Sequence, residues 1–258
     1  MTPLEALGIF AAGIGAGTVN TVVGSGSLIT FPVLVAFGYP PVVANVSNTI
    51  GIVSGSITGA IGYRQELAGQ GRRLLNLSIA SAIGALIGGL LLLRLPADAF
   101  AFVVPVLIAV AVALIIAQPW LNRWTARRRA ARAASGSVPR FRDGGPLLLA
   151  GVLCSGVYGG YFGAAQGVIL IGLLGVFINE SLQRVNAAKN VAAAVVNGVA
   201  AVLFMFVAPV AWDAVAVLAV GSVIGGVLGS VVGRRLPPLA LRVVVIAVGV
   251  YAAAQMLV

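Results

Sequence analysis

Two groups of polar side chains recur with the same spacing inside long apolar stretches of the chain. The first group is Asn45, Asn48, Thr49 and Ser56, and the second is Asn186, Lys189, Asn190 and Asn197. A helix turns by about 100° per residue, so offsets of 3, 4 and 11 from the first member place each group on one face of a helix. Amide and amine groups at membrane depth can line a wet cavity that binds an anion, or they can hydrogen-bond neighbouring helices together.

Lys189 is the single lysine of this sequence, and the other fifteen basic residues are arginines. It lies a few residues inside an apolar stretch, where a lipid-facing amine would cost on the order of a few kcal/mol. One reading is a cation that attracts an anionic ligand. The other is an amine that snorkels to the bilayer surface.

Glycine-rich breaks interrupt two further apolar stretches, at about 4–38 and 146–178. Both exceed the roughly 20 residues that one crossing requires, so we expect each to turn back as a helical hairpin. A broken helix exposes backbone N–H groups and the positive end of its dipole, which suit an anion. The residues around the two breaks that are candidates for binding are Asn20, Thr21, Gly24, Ser25, Gly26 and Ser27, and Gly163, Gln166 and Gly167.

Catalytic and metal-binding residue sets are missing from the sequence. The six acidic residues all fall near the ends of apolar stretches or in loops, histidine is absent, and Cys154 is the single cysteine. Paired carboxylates, a Ser-His-Asp triad, a Cys-His pair and a Cys/His metal cluster therefore have no candidates. We expect neither an enzyme nor a bound cofactor or metal.

The composition is that of a membrane protein. Of 258 residues, 60% are hydrophobic and 9% are charged, against about 25% charged residues in soluble domains. The sequence predicts an all-α polytopic membrane protein with apolar stretches at about 4–38, 41–63, 74–95, 97–121, 146–178, 185–208, 211–233 and 238–258. Six of these stretches have the length of a single span.

An ungapped internal duplication relates the two halves at a constant offset of 141 in the numbering. SAIGALIGGLLLLRLP at 81–96 aligns with SVIGGVLGSVVGRRLP at 222–237, and the two polar groups superpose at the same offset. The sequence thus predicts a first membrane repeat at 1–121, a basic cytoplasmic linker at 122–145 and a second membrane repeat at 146–258.

The distribution of arginine predicts the orientation of the chain. The linker carries seven arginines and Asp143, a net charge of +6, which fits a cytoplasmic loop rather than a nucleic-acid site. Loop 64–73 carries three arginines and Glu66, a net charge of +2. If 146–178 turns back, then Arg234, Arg235 and Arg242 also become cytoplasmic, the repeats are inverted and both termini lie outside.

Several motifs resemble the TauE/SafE sulfite exporters, also called the toluene sulfonate uptake permease family. They are GTVNTVVGSGSLITFPVLVAFGYPPVVANVSNT (17–49), GYRQELAGQGRR (62–73), VYGGYFGAAQGVIL (157–170) and LQRVNAAKNVAAAVVN (182–197). The segment GSGS at 24–27 departs from the family, where an uninterrupted glycine run is more usual.

The resemblance implies a secondary transporter, with export preferred over uptake, of a small sulfur-containing anion such as sulfite or an organosulfonate. We expect a multi-pass protein of the cell (inner) membrane that binds the anion between its repeats. The coupling ion is open, with the proton as one candidate, and so is homo-oligomerisation. A passive anion channel and a membrane-embedded assembly or scaffold protein remain alternatives.

Overall fold

The computed structural model describes residues 1–134 and 145–231, together with 241, 243–248 and 250. All regular elements in these ranges are helices. They are α1 (Pro3–Val22), α2 (Ser27–Ala36), α3 (Pro41–Gly62), α4 (Gly71–Arg94), α5 (Ala97–Ala134), α6 (Gly145–Tyr161), α7 (Gln166–Phe177), α8 (Leu182–Val207) and α9 (Trp212–Val231). The predicted last stretch at 238–258 falls mostly outside the described residues.

Among the described residues, four helices are long and apolar enough to cross a membrane: α4, α8, α9 and the part of α5 from Asp98 to Arg128. Large apolar side chains cover their outer surfaces, as in Phe102 and Phe206, which are 83% and 85% exposed. Such an extensive apolar surface, on helices of membrane-spanning length, fits contact with lipid. The chain is an all-helical, polytopic membrane protein.

Each of the two longest apolar stretches contains two antiparallel helices joined by a short break. In the first, Gly8 lies against Phe37 and Gly15 against Ile29, so α2 runs back along α1. Gly24 has φ of +87° at this break, a conformation that glycine adopts without strain. In the second, Gly151 lies against Leu173, and α7 runs back along α6.

Six of the described helices form two sets that run in opposite directions. Gly13 lies against Gly221, and Gly17 lies against Gly226, so α1 and α9 are parallel. The same kind of register aligns α3 with α9, and it aligns α4 with both α6 and α8. Because residues 63–70 connect the end of α3 directly to α4, the set α1, α3 and α9 is antiparallel to the set α4, α6 and α8.

Glycines allow the backbones of crossing helices to touch. A Cβ at Gly84 would meet the carbonyl oxygen of Leu153 on α6, and a Cβ at Gly225 would meet the carbonyl oxygen of Ile14 on α1. Gly84 and Gly225 are equivalent positions of the two halves. Small residues permit this close approach, which membrane helices use in place of a hydrophobic driving force.

The two ends of the bundle differ in charge. The basic end holds the α3–α4 connection, the end of α5 and the start of α8, with Arg64, Arg72, Arg73, Arg127 and Arg184. The acidic end holds Glu5, Asp98 and Asp213, with Arg94. Residues 122–134 of the predicted linker continue α5 as helix, while 135–144 and Arg234, Arg235 and Arg242 lie outside the described residues.

A network of ion pairs closes the basic end. Glu180, in the α7–α8 connection, accepts from Arg73 at 3.0 Å and from Arg184 at 2.7 Å. Arg184 also donates to the carbonyl oxygen of Ala68, at 3.0 Å. Burial opposes the ionisation of Glu180, but these two arginines outweigh it and hold the pKa of the carboxyl below its usual value.

Candidate functional site

The two glycine breaks meet inside the bundle. The N–H of Gly167 donates to the carbonyl oxygen of Gly24, at 3.0 Å. A Cβ on either glycine would collide with the backbone of the other, so only glycine allows this contact. Ala165, the equivalent of Gly24 in the second half, also adopts positive φ, at +58°. The contact therefore brings the first turns of α2 and α7 next to each other.

Lys189 is 0% exposed and points into the bundle. Its Nζ donates to the carbonyl oxygens of Asn20 at 2.9 Å and Thr21 at 3.2 Å, at the C-terminal end of α1. The Nδ2 atoms of Asn186 and Asn190 donate to the same Thr21 oxygen, at 3.2 and 3.3 Å. The last carbonyls of a helix lack intrahelical partners and carry the negative end of its dipole. The amine does not snorkel to a bilayer surface in this structure.

The polar group on α3 makes the corresponding contact with α6. Asn45 Nδ2 donates to the carbonyl oxygen of Tyr161, at 3.0 Å, at the C-terminal end of that helix. Asn48 occupies the position equivalent to Lys189 and accepts a hydrogen bond from Thr30. Thr49 donates to the Asn45 carbonyl of its own helix, so its hydroxyl joins no second element.

Ser56 links three of the helices. Its Oγ accepts from Asn20 Nδ2 at 3.1 Å and from Asn197 Nδ2 at 3.2 Å, and donates to the Ile52 carbonyl at 3.1 Å. Asn197 is the equivalent of Ser56 in the second half, so two equivalent positions of the polar groups contact each other. The polar faces of α3 and α8 therefore meet within the bundle.

Three buried donors beside the breaks have no hydrogen-bond partner among the described residues. They are Ser25 Oγ, Asn48 Nδ2 and Gln166 Nε2, on side chains that are 1%, 1% and 3% exposed. Ser25 and Gln166 are equivalent positions of the two halves; Ser25 lies two residues before the start of α2, and Gln166 is the first residue of α7. Leaving a buried polar group unpaired costs about 1–3 kcal/mol, so such groups mark a place that a polar ligand can satisfy.

The remaining candidates shape the backbone. Gly26 packs against the Ala16 carbonyl and the Asn20 side chain, and Gly163 has φ of +77°. Ser27 is half-buried at the first residue of α2. The predicted residues thus gather around the break contact, although most of the glycines act there through the space they leave free.

Sequence reasoning missed two participants, Thr30 and Tyr161. Thr30 pairs with Asn48, but isoleucine stands at the equivalent position 171, so comparing the halves gives no signal. Tyr161 contributes its backbone carbonyl, and the type of its side chain does not predict that role. Within the described ranges, no group of three His, Cys, Asp or Glu residues is placed to hold a metal.

An all-helical bundle with a buried polar centre and apolar outer surfaces defines the class of polytopic membrane proteins. The chain belongs to the family described as sulfite exporter TauE/SafE, whose sequence profile it matches over residues 9–256. No solved structure gives a significant match to this chain.

Curated relatives carry names of the same class. The chain is 26% identical over 223 residues to the probable membrane transporter protein YfcA of Escherichia coli K12, covering 86% of this chain and 78% of the relative. It is 24% identical over 217 residues to a probable membrane transporter protein of Haemophilus influenzae, covering 83% and 79%. A 106-residue segment is 29% identical to the probable membrane transporter protein ORF9 of a Sinorhizobium species, covering 41% and 40%.

Proposed function

We propose that the protein is a secondary transporter that exports a small sulfur-containing anion, such as sulfite or an organosulfonate, across the cell (inner) membrane. The observation that carries the proposal is the pair of buried donors at Ser25 and Gln166, which have no hydrogen-bond partner among the described residues. Ser25 lies two residues before α2 and Gln166 is the first residue of α7, at equivalent positions of the two halves whose breaks touch. A small anion bound there would satisfy both donors and face the positive ends of both helix dipoles.

The proposed site lies between two inverted repeats. In support, α3 and α4 begin at positions equivalent to the first residues of α8 and α9. When the two halves are exchanged, the contact of α1 with α9 corresponds to the contact of α6 with α4. The contact of α3 with α9 corresponds in the same way to that of α8 with α4. The contact between Ser56 and Asn197 fits a two-fold axis, because equivalent residues can touch only on or near that axis. Equivalent helices run in opposite directions, as inversion requires.

The basic side chain of Lys189 lies near this site. A Cβ on Gly167 would lie 3.0 Å from Lys189 Cδ, so the lysine stem passes directly by the start of α7. The Nζ atom also binds two carbonyl oxygens of α1. We infer that Lys189 holds the end of α1 and, as an ammonium, stabilises the bound anion across the break.

The charge of the two ends of the bundle suggests the orientation in the membrane, and the polar contacts at each end suggest how access to the site is closed. We place the basic end in the cytoplasm, in agreement with the bias of arginine toward that side. The Glu180 ion pairs would close this end, and the proximity of Tyr39 to Asp213 would close the acidic end. Opening one end while the other stays closed would give alternating access to the break contact.

The test is uptake by proteoliposomes across a panel of sulfite, sulfate, thiosulfate, sulfonates and carboxylates, with and without a pH gradient. We expect saturable transport that is stimulated by the same anion on the opposite side. Flux without saturation or counterflow would indicate a passive channel. Loss of protein assembly without loss of transport in variants of the polar groups would indicate a scaffold.

A further inference from the structure

Lys189 differs from the other buried cation that the structure describes in what neutralises it. Arg73, 7% exposed, has the carboxylate of Glu180 at 3.0 Å. Lys189, at 0% exposure, has two backbone carbonyl oxygens. A charge inside a low-dielectric bundle requires a counter-charge or extensive hydrogen bonding to be stable.

The number of acceptors around the amine is also informative. An ammonium has three N–H donors, and a neutral amine has two. The structure gives Lys189 Nζ two acceptors, the Asn20 and Thr21 carbonyls. The Thr21 oxygen is shared with the amides of Asn186 and Asn190, which weakens it as a partner for a full positive charge. This set of acceptors thus suits the neutral amine.

We propose that Lys189 carries the coupling proton: the amine takes up one proton when an anion enters the site and releases it when the anion leaves. This inference rests on the proposed anion transport. The arriving anion supplies the missing counter-charge, so anion and proton each favour the binding of the other by the same factor. The equivalent position in the first half is Asn48, which cannot take up a proton, so each cycle carries one. A monovalent anion would then cross with no net charge.

Within the described part of the chain, few titratable side chains lie on the elements around Lys189 that could compete with it for the proton. Of the helices that pack on α8, α3 and α7 carry no titratable side chain. Titratable side chains do lie on α4, on α6, at the start of α8 and in the connection before it. They are Arg72, Arg73, Arg94, Cys154, Tyr158, Tyr161, Glu180 and Arg184. The Tyr158 hydroxyl donates to the Ala164 carbonyl at 2.5 Å, and Glu180 is engaged by Arg73 and Arg184. On α1, the acid is Glu5, at the opposite end from Thr21.

The single lysine makes a direct test possible. In nanodiscs at pH 7.5, protein labelled with ¹⁵N and ¹³C at lysine gives one side-chain signal, whose shift distinguishes amine from ammonium. The probe is methanesulfonate, which stays ionised near neutral pH, so any proton taken up belongs to the protein. Calorimetry measures its binding, and a pH-sensitive dye in weak buffer measures proton uptake on the same sample.

We expect a neutral amine without methanesulfonate, an ammonium with it, and uptake of one proton per bound anion. Lys189→Arg, whose guanidinium does not release its proton, should bind methanesulfonate without proton uptake. Arg64→Gln, at the exposed basic end, should behave as wild type. An ammonium signal in the anion-free protein, or binding without proton uptake in wild type, would overturn the inference. In the second case the anion site itself would stand.

Discussion

At the residue scale, Lys189 is the most sensitive position. We expect Lys189→Met to weaken anion binding by at least tenfold while the protein still folds and inserts, because the apolar stem is kept and the charge is lost. Lys189→Arg should be intermediate, since a planar guanidinium matches the two carbonyls less well than a compact amine. Binding affinity and thermal stability in detergent check both variants. Wild-type affinity in Lys189→Met would remove this residue from the site.

For the donors that lack a partner among the described residues, we expect substitution to weaken anion binding without lowering thermal stability. Ser25→Ala and Gln166→Leu each remove a buried polar group that lacks a partner within the described chain. We therefore expect unchanged or higher thermal stability together with anion binding weakened by about 0.5–1.5 kcal/mol per lost neutral hydrogen bond. Ser78→Ala on α4 is the control, with neither property expected to change. Reduced stability with normal binding would show that these side chains serve packing alone.

Sequence could predict the members of the site better than their partners. The offset of 141 paired Asn45 with Asn186 and Asn48 with Lys189, because a duplicated polar position inside a membrane is informative. The sequence could not predict which backbone atoms these groups bind. Asn45 on α3 reaches the end of α6, and Lys189 on α8 reaches the end of α1. Those acceptors are backbone atoms, and only the tertiary packing decides which helix end they meet.

At the scale of elements, the glycine contacts should control helix packing. Gly84→Ala and Gly225→Ala place a methyl group against a facing carbonyl that is backbone and cannot move aside easily. We expect both to lower the melting temperature by several degrees, with similar size at the two equivalent positions. Gly198→Ala, where the added methyl meets nothing within 4 Å, should be neutral or stabilising because alanine favours helix. Equal effects at all three glycines would contradict this account.

The Glu180 ion pairs should make the basic end sensitive to acid. Because the pKa of Glu180 is lowered in the folded protein, its stabilising effect is complete above the usual pKa and disappears as pH falls through the lowered value. We expect Glu180→Gln to lower the melting temperature at pH 7, and the difference from wild type to shrink below about pH 4. A difference independent of pH would show that charge is not its cause.

The elements were predictable to different degrees. Length and the glycine clusters indicated turned-back helices at 4–38 and 146–178, because a stretch far longer than one crossing must bend. Their meeting through Gly24 and Gly167 was not predictable, since it depends on how the two halves pack. The helical extension of α5 to Ala134 was also missed, because its arginines favour a solvated loop and a solvated helix alike.

At the scale of the whole molecule, orientation is the first test. If the basic end is cytoplasmic, then Met1, at the acidic end, faces outward, and the crossing predicted from sequence at 238–258 would place the C-terminus on the same side. Single cysteines at positions 2 and 258, in a Cys154→Ser background, should react with a membrane-impermeant maleimide added to intact cells. Ala68→Cys should react only after the membrane is opened. Labelling of Ala68→Cys in intact cells would reverse the assignment.

The central claim is that two inverted repeats bind one small sulfur-containing anion at the contact of their breaks and carry it across the membrane. The most direct measurement is counterflow of radiolabelled sulfite into proteoliposomes preloaded with unlabelled sulfite, comparing wild type with the Ser25→Ala, Gln166→Leu double variant. We predict saturable, ATP-independent accumulation in wild type and a loss of about fivefold or more in the double variant, with equal reconstitution. Equal accumulation in both proteins, or none above empty liposomes in wild type, would contradict the account.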